Sequence, residues 1–249
     1  MDDDGRAGAV LSSAALTRIR TVAETGSTNA DVLALAADGA EEGLWLRAER
    51  QTAGRGRQGR EWSSPVGNLY ASTLVRVRPG DPSPASLALV CAVALAETIA
   101  ALGCSNVQIK WPNDLLLDGA KLSGILLERS GDAIVAGFGV NLARHPSIEG
   151  RQTASLAGRL WIHSAAELYE HLIPDFARWL AIWRSEGLAP VVARWQQQAH
   201  PPGTPLLARL SDGSSIPGTY DGLTADGALR LRLADGDTRV IHAADVFLV

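Results

Sequence analysis

With 249 residues, 46% of them hydrophobic and 20% charged, the chain is long enough for one full core and a small satellite domain. A net charge of −4 excludes non-specific nucleic-acid binding by the molecule as a whole, so any basic function must be local. The longest apolar run, 87–96, is short for a bilayer span of ~20 residues, and Cys91 and Cys104 lack CxxC or Cys/His ligand spacing. A reduced, cytoplasmic protein without membrane contact, structural disulfide or zinc is expected.

Residues 1–17 are small and polar, and acidic at Asp2, Asp3 and Asp4 where a secretory signal is basic; a disordered tail is expected. Arg18–Val22 reads as a first strand. Ser27, Thr28 and Asn29 offer N-caps for a short helix over Asp31–Ala37, stopped near Gly39. Leu44–Glu49 reads as a strand leading into Gly54-Arg55-Gly56-Arg57-Gln58-Gly59-Arg60, and Asn68–Val77 as the next strand. Pro82-Ser83-Pro84 opens a helix through Leu102 that ends at Gly103. Val107–Trp111, Leu115–Leu117, Leu122–Glu128 and Ala133–Val140 read as successive strands, with Asp118-Gly119 and Gly131-Asp132 as turns. Connections this short make antiparallel neighbours, which excludes a Rossmann sheet.

Ser164 and Glu167 form a capping box for a helix with Leu168, Leu172, Phe176, Trp179 and Trp183 at helical spacing; Pro174 should kink or split it. Leu188–Gln198 gives a further helix. Composition changes at His200-Pro201-Pro202-Gly203. Beyond it, short alternating runs punctuated by Asp212-Gly213, Asp221-Gly222, Asp226-Gly227 and Asp235-Gly236 read as a small barrel. The expected organisation is a tail over 1–17, a catalytic domain over 18–200 and a small domain over 201–249.

The chemistry concentrates in a few segments. The glycines of 54–60 permit positive φ and close backbone approach, and Arg55, Arg57 and Arg60 supply donor forks suited to phosphate and carboxylate. The competing readings are an exposed basic turn and a fragment of an arginine–glycine nucleic-acid tail. Such tails repeat, whereas this tract occurs once, between strands, with Trp62 behind it. Three guanidinium groups repel one another without an anion, so the loop is expected to be mobile until a ligand orders it and excludes water. Lys110-Trp111-Pro112-Asn113-Asp114 is either a strand end with a turn, or a cluster in which Asn113 bonds phosphate and Asp114 helps to place Mg2+.

Lys121 is by default a solvated hairpin charge. Within Lys121-Leu122-Ser123-Gly124-Ile125-Leu126, where Gly124 allows close approach, the alternative is an ammonium stabilising charge between a carboxylate and an α-phosphate. Gly137-Phe138-Gly139-Val140-Asn141 is a weak glycine fingerprint with no helix after it, and Asn141 is available to adenine or ribose. A cation-rich loop plus a separate Lys/Asn/Asp cluster suggests acyl-adenylate chemistry, a carboxylate attacking the α-phosphate of ATP. Five scattered histidines have no partner spacing for nucleophilic catalysis.

The ordered set Ser27-Thr28-Asn29, Ala48-Glu49-Arg50-Gln51-Thr52-Ala53 leading into Gly-Arg-Gly-Arg-x-Gly-Arg-x-Trp, Lys-Trp-Pro-Asn-Asp, Lys-x-x-Gly-Ile-Leu and Gly-x-Gly-x-Asn resembles the biotin–protein ligases over about 23–142. The tail from about Pro205 resembles that family's SH3-like C-terminal domain. The resemblance implies an α+β fold: a mixed sheet with flanking helices related to class II aminoacyl-tRNA synthetases, plus a small SH3-like β-barrel. It implies that Ser27, Thr28, Asn29 and Gln51 line a biotin pocket, and that Arg55, Gly56 and Arg57 form the biotin/adenylate loop. Lys121 would contact the biotin carboxylate and α-phosphate, with Arg57 as its catalytic companion. Arg60, Trp62, Asn113 and Asn141 would hold ATP and the adenylate.

The implied reaction uses ATP, Mg2+ and biotin to make biotinyl-5′-AMP, then biotinylates a lysine of a biotin carboxyl carrier protein or domain. Family members that double as repressors carry an N-terminal winged helix-turn-helix, and only about twenty residues precede the first motif here, so no DNA binding is expected. A monomer or weak homodimer is expected. The rivals are a lipoate–protein ligase, a nucleic-acid-binding regulator using the arginine loop and barrel, and a ligand-binding relic without turnover.

Overall fold

The structure, a computed structural model, describes residues 18–157 and 161–249; the tail expected over 1–17 lies outside the described residues. β1 (Ile19–Thr25) runs parallel to β2 (Trp45–Gln51), because the intervening helix α1 (Thr28–Ala37) carries the chain back along the sheet. After β3 (Leu69–Arg76) and helix α2 (Leu87–Ala101) come β4 (Val107–Lys110), β5 (Asp114–Leu117), β6 (Ala120–Ser130) and β7 (Ala133–Val140). The strand order is β1-β2-β3-β7-β6-β5-β4, with every pair after the first antiparallel. The expected mixed sheet is present.

Helix α2 is apolar on nearly all sides because it is enclosed between the sheet, α3 (Ala165–Ser185) and α4 (Ala189–Gln198). The run length of 87–96 undercounts this element. With the short 3-10 turn before it, Pro84–Ala101 reaches 18 residues at a mean hydropathy of 1.8, but 67% of that stretch is buried inside the fold. It is a core helix.

The capping box of Ser164 and Glu167 starts α3 as expected, but Pro174 does not split it. The missing hydrogen bond and ring clash cost about 3 kcal/mol. Against that stand buried side chains before and after the proline: Leu168, Tyr169 and Leu172, then Phe176, Trp179 and Trp183. Phe176 and Tyr169 pack edge-on against Trp45, at centroid distances of 5.5 and 5.8 Å, and so tie both halves of the helix to the sheet.

The C-terminal strands β8 (Pro205–Arg209), β9 (Ser215–Leu223), β10 (Leu229–Arg232), β11 (Thr238–Ile241) and β12 (Asp245–Leu248) form an antiparallel sheet in the order β11-β10-β9-β8-β12. Three of the four Asp-Gly pairs are turns. Asp221-Gly222 is not: it lies inside β9, where Asp221 accepts from Arg230 and Arg232 of the neighbouring strand at 2.8 and 3.0 Å. Cross-strand charge pairing therefore explains that aspartate. One apolar cluster runs from α2 and α3 through Trp195 into Tyr220, Leu229 and Val246, and the Trp111 indole N–H donates to the Gly227 carbonyl at 3.1 Å. This packing seats the start of β12 beside the larger sheet.

Candidate active site

Residues from seven separate segments meet in one cavity of about 570 Å³. Its lining includes Ser27, Thr28, Asn29, Gln51, Arg55, Gly56, Arg57, Arg60, Trp62, Asn113, Asp114, Lys121 and Asn141, every site residue expected from the sequence. That volume is in the usual range for a small-molecule site.

At one end, Ser27, Thr28 and Asn29 are buried where β1 turns into α1. Ser27 occupies the N-cap position, yet its side chain makes no capping bond. Gln51, at the end of β2, accepts from the Thr28 backbone N–H at 2.9 Å and donates to Ser64 Oγ at 3.1 Å. Asn29 Oδ1 accepts from Ser72 Oγ at 2.6 Å, and its Nδ2 donates to Glu128 at 2.8 Å. Short hydroxyl and amide groups fixed in this way present directional donors and acceptors.

Trp62 forms another wall. A Cβ on Gly139 would stand 2.5 Å from its Cε2, and one on Gly124 would stand 3.0 Å from its Cζ3. The glycines of β6 and β7 thus let an indole lie flat on the sheet. Trp62 Nε1 and Asn141 Oδ1 are buried and make no hydrogen bond among the described residues. Two such orphaned groups on one cavity wall suit a polar ligand.

Lys121 Nζ sits 5.5 Å from the Trp62 ring centroid and donates to Asp114 Oδ1 at 2.6 Å. Lys110 Nζ approaches the other oxygen, Oδ2, at 3.2 Å. Burial by itself would raise the Asp114 carboxyl, but the Lys121 and Lys110 charges together hold it below its ordinary value. Burial pushes the Lys110 ammonium down, against the pull of Asp114. Both oxygens of Asp114 thus face ammonium groups, a poor setting for a divalent cation. Among the described residues no group of three or more His, Cys, Asp or Glu side chains could hold a metal. The side chains present do not fit Asp114 as a magnesium ligand; the geometry makes it the carboxylate that aims two lysines.

The arginine loop is not left to self-repulsion. Arg55 pairs with Glu128 at 3.2 Å. Arg57 donates to Asn113 Oδ1 at 3.2 Å and lies 3.8 Å from Asp245, and Arg60 also pairs with Asp245. These acceptors sit far away in sequence, and they offset the mutual repulsion of the three guanidinium groups without a bound anion.

Residues 23–142 match the biotin/lipoate A/B protein ligase family, and residues 207–249 match the biotin protein ligase C-terminal domain. The biotin–[acetyl-CoA-carboxylase] ligase of Paracoccus denitrificans is 40% identical over 240 residues, covering 91% of this chain and 98% of its own length. The chain belongs to the biotin protein ligase family. The bifunctional ligase/repressor BirA of Escherichia coli is 37% identical over 198 residues, which are 74% of this chain and 60% of that protein. In fold, the chain matches the biotin protein ligase from Aquifex aeolicus in complex with biotin and ATP with a TM-score of 0.82 at 23% identity, over 93% of this chain and 99% of that one.

Sequence reasoning about this biotin protein ligase family member missed several lining residues. Asp245 and Val246 come from β12, and Pro146, Ile148, Arg151 and Thr153 come from the segment after β7. No local signal marks the first pair, since an aspartate opening a short strand looks ordinary. The glycines at 137 and 139 were visible, but their purpose was not: a Cβ on Gly137 would collide with Asn29 Oδ1 at 2.2 Å.

Proposed function

We propose that this chain is a biotin–protein ligase that makes biotinyl-5′-AMP from biotin and ATP, then passes the biotinyl group to a lysine of a carrier domain in a biotin-dependent carboxylase. The observation that carries this reading is the single cavity in which a hydroxyl–amide cluster, a lysine pair sharing one carboxylate and an arginine loop all meet. Ser27, Thr28, Asn29 and Gln51 engage the ureido ring. Lys121, aimed by Asp114, faces the biotin carboxylate and the α-phosphate, while Arg55, Arg57 and Arg60 draw in the phosphates. Trp62, Asn113 and Asn141 hold the nucleotide.

In the first step a carboxylate oxygen attacks the α-phosphorus, the bond to the β-phosphate oxygen breaks, and pyrophosphate leaves. In the second, the acceptor lysine's neutral amine attacks the acyl carbon, AMP leaves with the bonding electrons, and the amine gives up a proton. Neither step needs a protein nucleophile. The chain contributes positioning and charge placed where the transition state needs it. Magnesium accompanying ATP would be held by phosphate oxygens and water, its common mode of binding. A cytoplasmic setting fits both that chemistry and two cysteines not joined in a disulfide.

A lipoate ligase shares the adenylation logic. Lipoate's dithiolane ring, however, has no N–H or C=O to use the directional donors and acceptors of Ser27, Thr28 and Asn29, whereas biotin's ureido ring has both. The test is ATP–pyrophosphate exchange with biotin or lipoate, followed by mass measurement of a carrier domain incubated with enzyme, MgATP and biotin. Biotin-dependent exchange and one added biotinyl group are expected. Exchange with lipoate alone would overturn the assignment.

A further inference from the structure

The C-terminal sheet contributes Asp245 and Val246 to a cavity otherwise built by the larger sheet and its loops. Asp245, the first residue of β12, pairs with Arg60 and lies 3.8 Å from Arg57. Its side chain is 19% exposed. Both Arg57 terminal nitrogens also reach the Ala244 carbonyl at 3.5 Å, and Lys110 Nζ donates to the Val246 carbonyl at 2.8 Å. Three cations of the nucleotide end of the site are therefore held by three consecutive residues at the start of β12.

Resting on the ligase reading above, we propose that Asp245 is a stand-in anion: it holds Arg57 and Arg60 in place without nucleotide and yields them to the phosphates of ATP, so that the C-terminal sheet sets the affinity for ATP. A guanidinium has one planar donor fork, which a carboxylate and a phosphate must share or exchange. ATP offers more oxygens and more charge than a single carboxylate, so the exchange favours the nucleotide. The exchange still has a cost, because a negative charge on the cavity wall opposes a polyanion. Asp245 is thus a positioning residue, acting through two arginines. In the free protein it stabilises a loop that would otherwise repel itself, and in return it weakens ATP binding.

The experiment uses the full chain with Asp245→Asn, which keeps an acceptor oxygen but removes the charge, and with Asp245→Glu, which restores it. Residue 245 pairs with Arg209 of β8 through the backbone, so both variants keep the strand. Two quantities are read: KM for ATP and for biotin in pyrophosphate exchange, and trypsin cleavage after Arg55, Arg57 and Arg60 with and without MgATP. For Asp245→Asn, KM for ATP should fall about three- to fivefold, the scale of a partly exposed charge pair, with KM for biotin unchanged. Its loop should be cut faster than wild type without nucleotide and equally slowly with it, and Asp245→Glu should restore both values. A KM for ATP that rises or stays the same, or equal cleavage rates without nucleotide, would overturn the proposal. Absence of biotin-dependent exchange in the wild type would sink the ligase reading instead, while the trypsin arm still reports on Asp245.

Discussion

Replacing Gly139 by alanine isolates one contact of the site with little disturbance elsewhere. Gly139 is not among the positive-φ glycines, and it pairs with Tyr70 and Gly124 on the two adjacent strands, so its backbone accepts an alanine. The added Cβ would stand 2.5, 2.6 and 2.8 Å from Cε2, Nε1 and Cζ2 of Trp62. Carbon contacts relax at roughly 3.5 Å, so the indole must retreat by about 1 Å. A misplacement of about that size among positioning groups costs about 10²-fold in rate. The expected result is a drop of about 10²-fold in kcat/KM for pyrophosphate exchange, with an unchanged thermal melt. All three nearest atoms belong to Trp62, so the substitution should be nearly silent in a Trp62→Ala background, a double-mutant cycle with large coupling. Exchange within threefold of wild type, or an undiminished penalty in the Trp62→Ala background, would refute the reasoning.

Lys121→Ala should lower adenylate formation by about 10²–10³-fold, the scale of losing one preorganised charge-stabilising donor. It should keep its circular dichroism, because Asp114 retains Lys110 at 3.2 Å. Arg57→Ala should release biotinyl-5′-AMP into solution, seen as biotinylation of unrelated amines; labelling confined to the carrier would contradict it. Glu128→Gln weakens a carboxylate shared by Asn29 and Arg55, so KM for biotin should rise about tenfold, one charged hydrogen bond's worth. Burial, with Lys110 adding to it, pushes the His200 imidazole below its ordinary value. The unfolded chain then binds more protons between that lowered value and about 6.5. Stability to urea should therefore fall as pH drops through that window, and His200→Gln should flatten the slope.

Much of this fold is legible locally. The capping box at Ser164 and the turn at Asp118-Gly119 each depend on neighbours in sequence, and each reads correctly. The thirteen residues expected at a site line one cavity, and they stand out in the sequence because side chains of unusual chemistry cluster in short motifs that match a family's pattern. What failed depends on distant partners. Pro174 stays helical because Trp45 and its neighbours hold the surrounding aromatic residues, and Asp221 is held by arginines nine and eleven residues away. Asp114 looks like a metal ligand until Lys110 and Lys121 are seen on its two oxygens. The anchoring of the arginine loop needs Asp245, 185 residues beyond Arg60.

The unbroken apolar seam from α2 through Trp195 to Tyr220 means that the two sheets should melt together, as one cooperative unit. Cutting the chain ahead of Pro205 would lay bare Trp195 and strip Trp111 of its Gly227 acceptor. A chimera carrying a relative's tail must therefore match this face as well as supply a carboxylate at its edge. In this molecule the small sheet is part of the foundation on which the pocket stands.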